Sequence, residues 1–517
     1  MKNKFTSTIA GASIFIAFIS LFVKGLGFLR EIIFASYFGT GKDFDLYLVG
    51  AVLPVTIDTI LLYVGQNYFI PVYNDYINQG GKQSNEFLFK TFIRFLLGGV
   101  LLAAILFIAA NPILEFYAGD SSISNYETIY SVFLIFLCTI PLSAGTSILS
   151  AYLQSVLEFR FPSIARLFLN ISTIIFVLIF AEKIGVFVIA IGYLTGAILQ
   201  LLYLIVKSEI KIPSKVFQVL KAKDTSNSSL KYSIVTIVLI EAISQLYLLF
   251  DRYFYNDVST GGIAALNYAI ALFIFPIGIF SMALATAIFP KITSTISNKN
   301  YKQIKSIFLD SLQVILFLFT PISFIFIFFS GEVVTLIFER GNFSQLSTQY
   351  TAAALSFYSI SLVFYAAYGV INKIFYSIGL TKTLLMITIT GSLLKLLLNL
   401  ILVKSLQHNG LALATTIAYT YFFVLSFSVL NKKLKIGTTF EFITNLLIVL
   451  TNAFFSYLIT YIIINSFDYE NIVVNIFQIL LFVVIFIWNL NMIKHPSIKI
   501  FTGIYFRVKE KTLQIQN

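Results

Sequence analysis

The stretch "IGVFVIAIGYLTGAILQLLYLIVK", residues 184–207, and the loop after it, "SEIKIPSKVFQVLKAKDTSNSS", residues 208–229, set a pattern that the rest of the chain repeats. The first carries no charged side chain before Lys207 and is long enough to cross a hydrocarbon layer of ~30 Å as a helix. The second gathers Lys211, Lys215, Lys221 and Lys223. Working outward, comparable apolar stretches lie at 8–29, 45–74, 92–116, 127–154, 162–182, 230–251, 264–290, 306–330, 349–376, 382–404, 409–431, 440–466 and 471–493. With 184–207 they make about fourteen spans, an all-α integral membrane protein. An even number places both termini on one side of the bilayer.

The loop charges assign that side. Basic residues gather in every second gap: Lys82 and Lys90; Arg160; the 208–229 loop; Lys291, Lys299, Lys302 and Lys305; Lys382; Lys432, Lys433 and Lys435; and the tail from Lys494 to Lys511. The alternate gaps offer only Lys42, Lys183, Arg340 and Lys404. Positive loops stay in the cytoplasm, so both termini are expected there. Lys2 and Lys4 precede a long apolar run with no A-x-A-type cleavage site, which reads as a retained first helix.

Bulk composition agrees. Of 517 residues, 58% are hydrophobic and 11% charged, and the mean hydropathy is +0.90. No loop is long enough for a soluble domain. The net charge of +12 is dispersed in short loop clusters, which suits anionic headgroups rather than nucleic acid. One cysteine, Cys138, and two distant histidines, His408 and His495, argue against a disulfide framework or a metal site.

An internal repeat is visible at an offset of 222 residues: Arg30 with Arg252, Asp45 with Asn267, Pro54 with Pro276, and Arg160 with Lys382. Six spans preserve orientation, so the halves are parallel repeats, an arrangement secondary transporters use. The expected organisation is two six-helix lobes, 1–229 and 230–436, followed by two further helices and a tail, 437–517.

Polar residues within the spans are the candidate functional groups, because an ionised side chain in hydrocarbon is costly unless paired or hydrated. The first span carries Lys24, Arg30 and Glu31; the second Asp45, Asp58, Gln66 and Asn67; the seventh Glu241, Gln245, Asp251 and Arg252; the eleventh Lys395 and Asn399. Arg30, Glu31, Asp251 and Arg252 lie near span ends, where snorkelling to the interface is an alternative. Asp45 also suits a helix cap, and the deeper charges suit structural ion pairs. Basic groups from both halves suggest a positive cavity for a phosphate or pyrophosphate. Pro54, Pro141, Pro276 and Pro321 interrupt helical hydrogen bonding, and the equivalent pair Pro54 and Pro276 are hinge candidates. No phosphate-binding loop, H-E-x-x-H, G-x-S-x-G, glycosidase-type carboxylate pair or TVGYG filter is present. That excludes the corresponding ATPases, hydrolases and channels.

Three segments resemble the MurJ/MviN family of lipid II flippases, in the superfamily that includes multidrug, oligosaccharidyl-lipid and polysaccharide exporters. They are "LFVKGLGFLREIIFASYFGTGKDFDLYLVGAVLP" (21–54), "LFDRYFYNDVSTGGIAALNYAIALFIFPIGIFSMALATAIFPKI" (249–292) and "LIFERGNFS" (336–344); "QHNGLALATT" (407–416) also fits. The resemblance implies fourteen helices in two lobes around a central cavity, with two C-terminal helices forming a lipid groove. It implies movement of an undecaprenyl-pyrophosphate-linked saccharide to the outer leaflet by alternating access, without catalysis or a cofactor. Lys24, Arg30 and Arg252 would engage the pyrophosphate. Glu31, Asp45, Asp58 and Glu241 would balance charge or couple to Na+, H+ or the membrane potential. Lys24 stands where the family's first-helix arginine falls, Asp58 near its second-helix arginine, and Ala271 at its eighth-helix arginine, so a related lipid-linked glycan is an alternative substrate. A cation-coupled exporter of the multidrug and toxin extrusion (MATE) type and a non-transporting scaffold for envelope synthesis are the other readings. The implied partners are the lipid-linked saccharide, membrane lipids and envelope-synthesis proteins, for a monomer in the bacterial inner membrane.

Overall fold

The computed structural model describes residues 9–78, 84–118, 125–213, 216, 228–297, 301–434, 439–464 and 472–498. The loop and terminal residues Lys2, Lys4, Lys82, Lys215, Lys221, Lys223, Lys299, Lys435 and those beyond 498 lie outside them. Among the described residues the chain forms helices and no strand: α1 (Ile9–Phe38), α2 (Lys42–Val64), α3 (Ile70–Asn78), α4 (Ser84–Ile108), α5 (Ala110–Ala118), α6 (Tyr126–Leu137), α7 (Thr139–Ser155), α8 (Arg160–Ile184), α9 (Phe187–Ser208), α10 (Ser228–Tyr253), α11 (Gly262–Ser297), α12 (Tyr301–Phe328), α13 (Ser330–Phe338), α14 (Gln345–Ser359), α15 (Leu362–Ser377), α16 (Thr381–Leu406), α17 (His408–Leu434), α18 (Thr439–Ile464) and α19 (Ile472–Met492). Eleven of the described helices are long and apolar enough to cross a membrane, or twelve when α14 and α15, bent by 51°, count as one span. The charged helices α1 and α10 stand outside that count.

The repeat seen in the sequence recurs in the helices. Those starting at 42, 84, 110, 126, 139, 160 and 187 are matched in order by helices starting at 262, 301, 330, 345, 362, 381 and 408. Even the nine-residue α5 has a nine-residue counterpart in α13. A span broken into two helices, α6–α7, likewise matches the broken α14–α15.

Proline places some of the breaks and not others. Pro112 and Pro141 lie in the first turns of α5 and α7, where a missing N–H is harmless, and the chain breaks just upstream, at Ala109 and Cys138. Pro54 and Pro276, the hinge candidates, lie inside α2 and α11 with no interruption of either helix. The irregular turn of the second span is instead a π turn over Gly65–Phe69. A side chain at Gly65 would meet Ser147 of α7 at 2.6 Å, so the backbones approach closely there. At the α14–α15 bend, the carbonyls of Phe357 and Ser359 accept hydroxyl hydrogen bonds of 2.6 Å from Thr416 and Ser323. Neighbouring helices thus satisfy groups that an unbroken helix would satisfy itself.

The chain divides into two compact units: residues 1–268 with 340–347, and 269–339 with 348–517. Packing divides the chain at 268 and sequence repetition at 229, since α10 lies with the first unit. In that unit α2 packs on α6, α7 and α10, and α8 on α1 and α9. Its interior is aliphatic and aromatic, with Phe69, Ile148, Leu204, Leu114, Phe133 and Ile140 fully buried. In the second unit α16 packs on α17, α12 on α15 and α18, and α18 on α19. The outer faces are apolar rather than polar: Leu101, Ile105 and Ile108 on α4, and Leu393, Leu397 and Ile401 on α16, are all exposed. Water-soluble proteins rarely expose contiguous apolar faces on such a scale; hydrocarbon accommodates them.

A polar network inside the first unit

The turn joining α1 to α2 organises the network. Gly39 has φ +54°, a left-handed conformation that a side chain would strain. A Cβ there would also strike the Asn342 carbonyl, and one at Gly341 (φ +58°) the Ser36 carbonyl. Backbones this close allow Asn342 N–H to donate to the Ser36 carbonyl (2.8 Å) and Asn342 Nδ2 to the Tyr37 carbonyl (2.6 Å). Thr40 and Ser347 share a hydroxyl hydrogen bond of 2.7 Å. Phe44 stacks on Tyr268, which packs edge-on against Phe343. Two segments quoted for the family resemblance, around "YFGTGKDFD" and "ERGNFS", are therefore docked on each other.

Asp45 sits beneath this turn, fully buried. Its Oδ2 accepts the Gly261 N–H at 2.6 Å and its Oδ1 the Ala264 N–H at 2.7 Å. It is a helix cap, but of α11 rather than of its own helix. The residue preceding α11 is Gly261 (φ +86°), which has no side chain to cap with, so a carboxylate from α2 supplies the acceptors. Buried Arg252 acts electrostatically on Asp45. Tyr268 Oη donates to the Gly39 carbonyl (3.0 Å), tying the start of α11 to the same turn.

Arg30 and Glu31 lie two turns before the end of α1, not at a span terminus, because α1 continues to Phe38. Arg30 Nη2 is 2.7 Å from Glu31 Oε1, and Nη1 donates to Asn170 Oδ1 of α8 at 3.2 Å. Glu31 Oε2 accepts from Asn267 Nδ2 at 3.1 Å. The guanidinium also stands 5.5 Å from the Phe34 ring centroid. Two turns earlier on α1, exposed Lys24 lies in electrostatic range of exposed Arg166, one turn before Asn170 on α8. Between them Gly27 faces the Asn170 side chain across the α1–α8 seam. Lys24, Arg166 and Arg30 thus form a basic strip along the α1–α8 seam. Arg166 was missed by the sequence reading; its place inside an apolar span, one turn from Asn170, was the available signal.

Asp58 is 2% exposed, and its Oδ2 lies 2.8 Å from Thr139 Oγ1 on α7. Glu241 Oε1 accepts from Gln245 Nε2 at 2.7 Å, one turn along α10. In the second unit, Lys395 and Asn399 are buried on one face of α16. A cavity of about 610 Å³ opens at the α1–α2 and α8–α9 turns, with Lys42, Asp43, Glu182 and Asn342 among its walls. None of the candidate site residues named from the sequence lines it.

Internal repetition, apolar outer faces and a basic strip along the α1–α8 seam define a multi-pass all-α membrane protein with the repeat-built architecture of secondary transporters. The family model described as "Lipid II flippase MurJ" matches residues 34–487, and the chain belongs to that family. It is 25% identical over 437 residues to a probable lipid II flippase MurJ of Borreliella burgdorferi, covering 82% of this chain and 83% of the relative. A solved lipid II flippase MurJ, in an inward closed conformation, shares the fold with a TM-score of 0.75 at 23% identity, covering 96% of this chain and 99% of the other. An inward-facing multidrug-resistance MATE family transporter is also similar in fold, with a TM-score of 0.65 at 16% identity, covering 82% and 99%.

Proposed function

We propose that this chain is an inner-membrane flippase that carries a polyprenyl-pyrophosphate-linked saccharide of the lipid II type from the cytoplasmic to the outer leaflet by alternating access. The observation that carries the reading is the basic strip of Lys24, Arg166 and Arg30. Two cations held side by side on adjacent helices repel each other, and an anion between them removes that cost. A diphosphate suits the site because it offers several oxygens to more than one donor. The family and its named relatives supply the rest of the substrate, the lipid-linked saccharide.

Arg30, held by Glu31 and Asn170, supplies an oriented guanidinium beyond the Lys24–Arg166 pair. Arg252 acts in this reading as the counter-charge of Asp45, and Glu31 as the group that fixes Arg30. The loop charges support fourteen spans with both termini in the cytoplasm. The reading needs no ATP or bound cofactor: an inside-negative potential favours outward movement of anionic charge by ~2.3 kcal/mol per charge per 100 mV. The protein acts as a monomer. The test is depletion in the native host followed by identification of the lipid-linked intermediate on the cytoplasmic face. Accumulation of undecaprenyl-pyrophosphate-linked peptidoglycan precursor supports the reading; a normal precursor pool refutes it.

A further inference from the structure

Asp58 lies deep in the first unit, between α2 and α7, and its surroundings specify its protonation state. Thr139 Oγ1 is 2.8 Å from Asp58 Oδ2 and 2.7 Å from the Phe136 carbonyl oxygen. A threonine hydroxyl has one hydrogen to give. If Asp58 were ionised, that hydrogen would have to serve two acceptors, and one contact would bring two bare oxygens together. Both contacts are hydrogen bonds only when the carboxyl is protonated. Asp58 Oδ2–H then donates to Thr139 Oγ1, and Thr139 Oγ1–H donates to the Phe136 carbonyl.

The other carboxyl oxygen points the same way. Asp58 Oδ1 is buried with no hydrogen-bond partner of its own, and the Ser143 hydroxyl, one turn along α7, is the second hydrogen-bonding neighbour of the carboxyl. A bare carbonyl oxygen tolerates that setting far better than half of a carboxylate. The ion pairs Arg30–Glu31 and Arg160–Glu158 do not include Asp58. The Phe136 carbonyl lies one turn before Thr139, at the helix break at Cys138.

The titratable groups around it are few. From α9, Tyr193 lies in electrostatic range of both Asp58 and Arg30. The helix α10, also packed on α2, carries Glu241, Asp251 and Arg252, of which Arg252 acts on Asp45. From α6 come Tyr126, Glu127 and Tyr130 near its start.

We infer that Asp58 is a proton-binding site: a neutral acid in this conformation, donating to Thr139, that releases its proton to water when α2 and α7 separate. Resting on the flippase reading, the consequence is linkage. Tyr193 lies in electrostatic range of both Asp58 and Arg30, so a deprotonated Asp58 puts a further negative charge in the unit that holds Arg30, and anion binding there and protonation of Asp58 favour each other. Protonation also latches α2 to α7 in the conformation described.

The test needs no substrate, so its outcome is independent of the flippase reading. Infrared difference spectra are recorded on the full-length protein in lipid nanodiscs at pH 7, comparing wild type with Asp58→Asn. The expected result is a protonated-carboxyl C=O band in the wild type that Asp58→Asn lacks. A difference showing only ionised carboxylate bands overturns the inference, including the case in which a cation or water fills the site. Thr139→Val, which removes the acceptor, should move the same band to higher frequency; an unmoved band overturns the assigned geometry. If Asp58→Asn does not accumulate, the Thr139→Val comparison alone decides.

Discussion

Replacing Asp45 by alanine removes the group that caps α11 from a neighbouring helix. Asp45 is fully buried and accepts from Gly261 N–H and Ala264 N–H at 2.6 and 2.7 Å, both short enough to be charge-assisted. Each such bond contributes roughly 1.5–3 kcal/mol net, and truncation leaves both N–H groups without their acceptor. It also removes the counter-charge of buried Arg252. The two bonds are not independent, so the expected loss is about 3–5 kcal/mol rather than the full sum. For a unit of this size about 2 °C in Tm accompanies each kcal/mol, giving a fall of roughly 6–10 °C. Asp45→Asn keeps one carbonyl acceptor and should lose about half as much. The assay is thermal unfolding of the purified protein in detergent at one fixed scan rate, with both variants beside the wild type. An Asp45→Ala protein that unfolds within about 1 °C of the wild type, or an Asn variant as unstable as Ala, would refute the capping argument.

Other substitutions test neighbouring parts of the account. Gly39→Ala adds a Cβ at φ +54° and into the Asn342 carbonyl, so it should cost ~2 kcal/mol or more and lower expression; near-wild-type unfolding would contradict the docking of the α1–α2 turn on residues 340–347. Gly50→Val places a side chain whose Cβ lies 2.6 Å from the Ile129 carbonyl, forcing α2 from α6 and destabilising by a few kcal/mol, read by the same unfolding scan. Asn170→Ala frees one side of Arg30 at a cost of only ~1 kcal/mol, yet should slow translocation severalfold; unchanged flux would remove Asn170 from the site.

The fold was legible because its signals are coarse. Apolar length, loop charge and the 222-residue offset depend on many residues each, and the helix starts repeat in the same order. The site was legible in part. Lys24, Arg30, Glu31, Asp45 and Asp58 stand out because charge inside an apolar span is conspicuous whatever it does. What each touches depends on how helices distant in sequence are packed. Nothing local says that Asp45 would cap a helix beginning more than 200 residues later, or that Arg30 would lean on Asn170. Arg166 was overlooked because it follows closely on the basic loop residue Arg160, where an interfacial position is the simpler reading. Proline signalled possible bends at Pro54 and Pro276, but those helices run on unbroken. The close approach of Gly65 to Ser147 lies at the actual irregularity, and sequence gives no sign of a neighbour.

The central claim is that cations on the α1–α8 seam engage the diphosphate of a lipid-linked saccharide during its passage. The direct measurement is translocation of a fluorescent undecaprenyl-pyrophosphate-linked saccharide in proteoliposomes, comparing wild type with the Lys24→Glu, Arg166→Glu double variant. Both positions are exposed, so the variant should fold. Loss of one or two charge-assisted contacts, each ~1.5–3 kcal/mol, predicts a fall in rate of at least about tenfold, with Tm unchanged. Translocation at the wild-type rate by the folded double variant would contradict the account.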